Sequence, residues 1–213
     1  SRNLIEGQGL VYNVGDRVEG YTNFLWTLYV AAGMAITRVD APFVALAGCL
    51  VAYVANLVLT WAIGRRLAEG MLYVPLATGL VAVQHTFVTF GTSGLETGVA
   101  TTFLLAALLL SFDPGPRTSF GAGLMSALGV LTRPDHAIFY AALGLALAVR
   151  RRPIRELVWF AVPGVLVLAH AAWRYQYYGD LAPNTYYAKS ADLAYWSQGL
   201  VYAATFWLGS QLW

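Results

Sequence analysis

The sequence predicts an all-α polytopic membrane protein: a bundle of transmembrane helices with further helices lying at the membrane surface. Three observations carry this. Of 213 residues, 58% are hydrophobic and only 11% are charged, against roughly 25% charged in a soluble domain. The apolar residues come in uninterrupted runs rather than in amphipathic stripes. Short charged or Gly/Pro-rich segments separate the runs, as expected for spanning helices of about 20 residues joined by loops.

Residues 1–20 are polar and unassigned by the runs; they lead into "VEGYTNFLWTLYVAAGMAITRVD" at 18–40. Residues 21–37 of that stretch are 17 uncharged residues, the lower limit for a span. As a helix they would bring Asn23, Thr27 and Thr37 near one face and Phe24, Leu25, Leu28, Ala32, Ala35 and Ile36 onto the other, the pattern of an interfacial helix. On these residues alone the stretch either crosses, with residues 1–20 inside, or lies along the surface, with them outside.

Six uncharged runs follow, at 43–64, 71–90, 98–112, 119–132, 137–149 and 157–173, and each is read as a spanning helix. Three of them, of 13 to 15 residues, must borrow flanking residues, tilt little or line a thinned region. Residues 174–199 then form a second loop, and 200–213 open another transmembrane helix. A start at Ser1 without a signal peptide and a stop within an apolar run read as an internal piece of a longer protein.

Sidedness follows from the loops. "GRRLAEG", "DPGPR" and "RRRPIRE" alternate with the others and carry seven arginines, 65, 66, 117, 150, 151, 152 and 155, whereas the opposite set carries Arg38, Arg133, Arg174 and Lys189. The arginine-rich side is predicted to be cytoplasmic. That makes "GTSGLETG", "TRPDH" and 175–199 extracytoplasmic. Apart from histidines, the runs hold no group expected to be charged, and no matched pair of Gly/Pro-interrupted runs occurs, both of which weigh against transport. No basic block with interleaved aromatics suggests a nucleic-acid partner. Cys49 lies alone in an apolar run and reads as a packing residue. His85 and His170 read as neutral imidazoles hydrogen-bonded between helices, and no HxxxH spacing suggests zinc.

Chemistry-bearing side chains therefore gather in the extracytoplasmic loops. Glu96, in a Gly-rich turn, is either an acidic charge at a helix N-terminus or a group that positions an acceptor hydroxyl or a divalent cation. In "LTRPDHA", Pro134 and Asp135 are ordinary helix-restart residues, yet Arg133 is a fixed cation that can meet a phosphate bidentately. "WRYQYYGDLAPNTYYAK" packs five tyrosines, a tryptophan and two cations into 17 residues. An aromatic belt explains the rings. It does not require Asp180, Pro183, Asn184 and Thr185, which with the flanking Arg174 and Lys189 suit a phosphate-linked carbohydrate.

"RNLIEGQGLVYNVGDRVEGYTNFLWT", "GTSGLETG", "LTRPD" and "YYGDLAPNTYYAK" together resemble the GT-C glycosyltransferases, and most closely the actinobacterial terminal arabinofuranosyltransferase family. The resemblance covers the whole chain, with the four motifs in the family's order. It implies a GT-C-like helix bundle that takes a sugar from a polyprenyl-phosphate donor, uses no nucleotide, and passes the sugar to a glycan or lipid acceptor on the outer face of a bacterial plasma membrane. It implies that residues 1–42 belong to the first extracytoplasmic loop with 21–37 as a juxtamembrane helix, and that an upstream span and a catalytic aspartate precede Ser1, so that this piece alone would be inactive.

Carried onto this sequence, the resemblance makes Glu96 the second acidic loop residue and the metal ligand if a cation is used. It makes Lys189, Arg133, Arg174, Asn184 and Tyr187 the donor-phosphate contacts, and Glu19, Tyr21, Asn23, Asp135 and Asp180 the cleft lining. Rival readings are a GT-C enzyme for another sugar such as mannose, a lipid-linked-oligosaccharide flippase with "YYGDLAPNTYYAK" as its gate, and a scaffold without catalysis.

Overall fold

The computed structural model describes residues 1–68, 73–180 and 196–209. Among the described residues every regular element is helical: α1 (Arg2–Ile5), α2 (Phe24–Thr37), α3 (Ala41–Ala68), α4 (Leu76–Val83), α5 (His85–Thr92), α6 (Thr97–Ser111), α7 (Pro116–Thr132), a 3-10 turn (Pro134–His136), α8 (Ala137–Val149), α9 (Ile154–Ala161), α10 (Gly164–Tyr178) and α11 (Trp196–Gly209). The all-α expectation holds.

Among the described residues two helices are long and apolar enough to cross a membrane, Ala41–Ala68 and the α9–α10 pair taken as Ile154–Tyr178. At about 1.5 Å per residue, the 28 residues of α3 rise about 42 Å, more than the roughly 30 Å of hydrocarbon. The run at 71–90 is not one helix, contrary to the sequence reading. Gln84 adopts an extended conformation, and its Oε1 accepts from the Phe87 N–H at 2.6 Å. This side-chain cap starts α5 afresh. α5 and α6 then meet at 112° across a turn in which Gly94 has φ +77°, a conformation costly for any side chain. The boundaries at the C-terminal end shift too: α10 runs on to Tyr178 and α11 begins at Trp196, both inside the expected loop.

α7 is the axis of the bundle. It packs against α6 and α9, and also touches α2, α8 and α10. Its small residues permit this: a Cβ on Gly123 would lie 2.0 Å from the Phe160 carbonyl oxygen, so only glycine lets the two backbones approach. Small residues at contacts replace hydrophobic driving force where lipid surrounds a helix. One core cluster joins Trp26, Val30 and Met34 of α2 to Val44, Ala45 and Cys49 of α3, while a second joins Ala122, Leu147 and Phe160. Cys49 is fully buried, as its packing reading requires, and its thiol donates to the Leu95 carbonyl. Buried Asn56 of α3 donates to the Gly98 carbonyl at 2.9 Å, tying α3 to α6. Outward-facing side chains remain apolar, with Val51 71% and Leu168 69% exposed, the surface a lipid solvent accepts.

α2 buries Trp26, Thr27, Val30, Ala31 and Met34 against the bundle. This differs from the predicted faces. Thr27 turns inward because its hydroxyl donates to Asn23 Oδ1, and the exposed side includes Ile36 and Ala35.

The charged residues sort to the two ends of α7. Beyond its start, Arg66 pairs with Asp113, Arg152 donates to the Ser111 and Phe112 carbonyls that α6 leaves unpaired, and Arg117 and Arg155 share one recess. Beyond its end lie Arg133, Glu96 and the first loop. The seven arginines counted from the loops therefore share one pole.

Candidate functional site

At the opposite pole, the short segment 19–23 is pinned at both ends. Asn23 immediately precedes α2; its Nδ2 donates to Glu96 Oε2 at 3.0 Å, while its Oδ1 accepts from Thr27. Glu96 sits at the start of α6 but makes no side-chain cap bond there, so its helix-terminus role is electrostatic at most. Its other oxygen lies 3.6 Å from Arg133 Nη1.

Arg133 follows α7 in an extended conformation, φ −145° and ψ 117°, which the following Pro134 favours. Its guanidinium donates from Nε to Asp135 Oδ1 at 3.1 Å and from Nη2 to Oδ2 at 2.9 Å. Nη1 donates to Thr97 Oγ1 at 3.2 Å. This fork holds the Asp135 carboxyl below the usual range, while the same hydrogen bonds, against the opposing effect of burial, raise the basicity of Arg133.

A second pair lies at the other end of the segment. Arg174 Nε donates to Glu19 Oε2 at 2.7 Å, and the two side chains are 14% and 5% exposed. Burial pushes the Glu19 carboxyl above its ordinary value, with Arg174 pulling the other way. Between these pairs, the Tyr21 and Tyr178 hydroxyls are 3.0 Å apart, and Tyr178 donates to the Leu10 carbonyl. Burial, first, and the Tyr178 contact, second, push the Tyr21 hydroxyl well above the usual tyrosine range. A ladder of rings continues outward. Phe24 packs on His170 at 4.2 Å, Trp173 stacks on Tyr177 at 5.2 Å, and the Arg17 guanidinium sits 5.4 Å over the Tyr177 ring.

The structure thus brings Asn23, Glu96, Arg133 and Asp135 into one cluster and Glu19, Tyr21 and Arg174 into a neighbouring one, with the charge of Asp180 acting on Glu19. Lys189, Asn184 and Tyr187 lie outside the described residues. Arg133 and Arg174, both expected to contact the donor phosphate, are each engaged by a carboxylate. One expectation changes. His170 was read as hydrogen-bonded, yet its buried Nε2 has no partner among the described residues and its ring packs on Phe24.

Thr97, Thr27, Tyr178 and Arg17 were not singled out as site residues. Thr97 adjoins Glu96 and Thr27 is four residues from Asn23, but only the fold aims them inward. Among the described residues no three His, Cys, Asp or Glu side chains converge as a metal site. Glu96 itself faces an amide donor and a guanidinium, which is not a cation-ligating environment.

Beside the first cluster an apolar recess of about 610 Å³ opens between α2, α3, α6 and α7, walled by Trp26, Tyr29, Val51, Val99, Phe103 and Thr132.

Over 235 residues the chain is 32% identical to the terminal beta-(1->2)-arabinofuranosyltransferase of Mycobacterium tuberculosis (strain ATCC 25618 / H37Rv), covering 100% of this chain and 36% of that protein. Over 248 residues it is 29% identical to the protein of the same name from Corynebacterium glutamicum, covering 99% of this chain and 35% of the relative. It spans about a third of the length of these curated relatives. No family model matches, and no solved structure matches.

Proposed function

The chain is a homologue, along its whole length, of part of the terminal arabinofuranosyltransferases, and on that footing we propose that it is the helical portion of a multi-pass membrane glycosyltransferase. It takes a sugar, arabinofuranose, from a polyprenyl-phosphate donor and passes it to a cell-envelope glycan on the extracytoplasmic side of the plasma membrane. The observation that carries this reading is the meeting of residues 19–23, Glu96, Arg133 and Arg174 at one pole, away from the seven arginines. The arginine pole is cytoplasmic by the charge rule.

α2 is then a juxtamembrane helix. Its 14 residues rise about 21 Å, short of the hydrocarbon thickness. Both of its ends are tied to polar groups outside it, with Arg2 of the first loop against Asp40 at 3.7 Å after one end and Asn23 donating to Glu96 of the α5–α6 turn before the other. Were α2 to cross, that polar loop would accompany it through lipid with its backbone unpaired.

Sugar transfer requires an acceptor hydroxyl to attack the anomeric carbon while its proton passes to a carboxylate and the phosphate leaves with the bonding electrons. Glu96, held by Asn23 and Arg133, orients the acceptor, and the proton goes to the carboxylate that the resemblance puts upstream of Ser1. Arg133 meets the phosphate with Lys189. Its partner Asp135 is 56% exposed and can yield half of the fork, whereas Glu19, 5% exposed, keeps Arg174 as a positioning residue. The apolar recess beneath α2 takes the first prenyl units.

In the full-length protein, Glu96→Gln and Arg133→Ala should each lower transfer from a radiolabelled polyprenyl-phosphate sugar by about 100-fold, in the range of a lost electrostatic contact, and Lys189→Ala comparably. Wild-type rates in all three would remove the assignment.

A further inference from the structure

The arginine pole carries a second feature that the transferase chemistry does not use. At the C-terminal ends of α3 and α8, Arg65, Arg66 and Arg150 converge with Leu67 and Phe112 around a recess of about 510 Å³. Two of the guanidiniums are held in different ways: Arg65 lies 5.1 Å over the Trp61 ring and Arg66 pairs with Asp113, while Arg150 is the C-cap residue of α8. Asp113 is the carboxylate paired there among the described residues, so three cations face one anion. Arg152, by contrast, is fully used by the Ser111 and Phe112 carbonyls and by Glu156.

Its apolar flank is open: Leu67, which lines the recess, is 67% exposed, and Val149, the residue before Arg150, is 73% exposed. Among the described residues this recess has a surplus of two guanidiniums with hydrophobic flanks, which matches a dianionic headgroup whose acyl chains run back along α3 and α8. Basic pockets between helices on the cytoplasmic side of a membrane recognise such headgroups, and the planar guanidinium meets phosphate oxygens two at a time.

We propose that this recess is a binding site for an anionic phospholipid of the cytoplasmic leaflet with two phosphate groups, seated on Arg65, Arg66 and Arg150. The site rests on the helices crossing a bilayer and not on the transferase reading, and its test reads binding rather than transfer. The lipid docks the inner end of α3 against the α8 terminus and the α6–α7 turn.

The experiment uses full-length protein, delipidated in a neutral detergent at about physiological salt, where exposed charges are screened beyond roughly 8 Å. Thermal unfolding and native mass spectrometry are followed while cardiolipin, phosphatidylcholine or inorganic pyrophosphate is titrated. Cardiolipin should raise the unfolding temperature saturably and remain bound in the spectrum. Arg65→Gln/Arg150→Gln should raise the half-saturating concentration at least tenfold, whereas Arg117→Gln/Arg155→Gln, an equal loss of charge at the neighbouring recess, should leave it unchanged. Arg65→Lys/Arg150→Lys should give an intermediate loss, which keeps the test valid if the glutamine pair folds poorly. An equal loss in the Arg117/Arg155 pair would reduce the effect to general charge. An equal shift with phosphatidylcholine, or with pyrophosphate alone, would overturn a lipid headgroup site.

Discussion

The two poles of the bundle solve the same problem, charge at the end of an apolar helix, in opposite ways. At the arginine pole the charges are many, mostly of one sign, and mostly exposed; the Arg66 and Asp113 side chains are 52% and 51% accessible even as a pair. At the other pole Glu19 and Arg174, Glu96 and Arg133, and Arg2 and Asp40 are paired with opposite sign, and these partners come from distant parts of the chain. Glu19 meets Arg174 across 155 positions and Asn23 meets Glu96 across 73. One pole is thus a solvated collar whose arrangement few contacts constrain. The other is an interlocked set in which moving one member disturbs the next.

Removing one member should reveal the difference most strongly in the Glu19–Arg174 pair. Arg174→Met leaves a buried carboxylate without its counter-charge and should destabilise the protein by about 3–5 kcal/mol, while Glu19→Leu combined with Arg174→Met should recover most of that. Unfolding followed by circular dichroism in detergent measures both. The loss depends on pH with a definite sign. Glu19 already has a raised pKa in the folded state, so its contribution is full below its unfolded value and is lost as pH rises through the folded one. Without Arg174 the folded value rises further, and the gap between variant and wild type should widen toward neutrality and close in acid.

α7 carries both poles, and Gly123 is its tightest contact. Gly123→Ala must push the Phe160 backbone away and should cost about 1–3 kcal/mol. Gly79→Ala in α4, where an added Cβ meets nothing within 4 Å, should instead be stabilising by up to about 1 kcal/mol.

Asp135 responds with the opposite pH sign to Glu19. Its pKa is lowered by Arg133, so its contribution is present above the ordinary aspartate value and is lost as pH falls through the folded one. Asp135→Asn should therefore weaken the protein near neutrality by less than about 1 kcal/mol, the scale of a half-exposed pair, and that gap should vanish in acid. The smallest effect belongs to the collar. Asp113→Asn should change stability by no more than about 0.2–1 kcal/mol, and added salt should erase the change. A loss comparable with that of Arg174→Met would abolish the contrast between the poles.

The same contrast explains what could be read from residues alone. The collar was legible because charge alternation between apolar runs needs no knowledge of packing, and α3 was legible because 43–64 is a single long uncharged run. The break at Gln84 was not, since only the local fold decides whether that side chain reaches the Phe87 N–H. The clustering of the first loop with Glu96 and Arg133 came from the order of four motifs. Their pairings did not, because contacts across 73 or 155 positions leave no periodicity. Nor do the residues alone reveal that the proline which extends Arg133 also aims its fork at Asp135.

The two tyrosines between the pairs fix a direction as well as a distance. A carbonyl oxygen only accepts, so Tyr178 spends its single proton on Leu10, and Tyr21 must spend its own on Tyr178. The oxygen of Tyr21 is left with lone pairs and no proton to give. A hydroxyl arriving there, from sugar or water, has to enter proton first, so the wall of this pole discriminates by hydrogen-bond polarity before any charged group is reached.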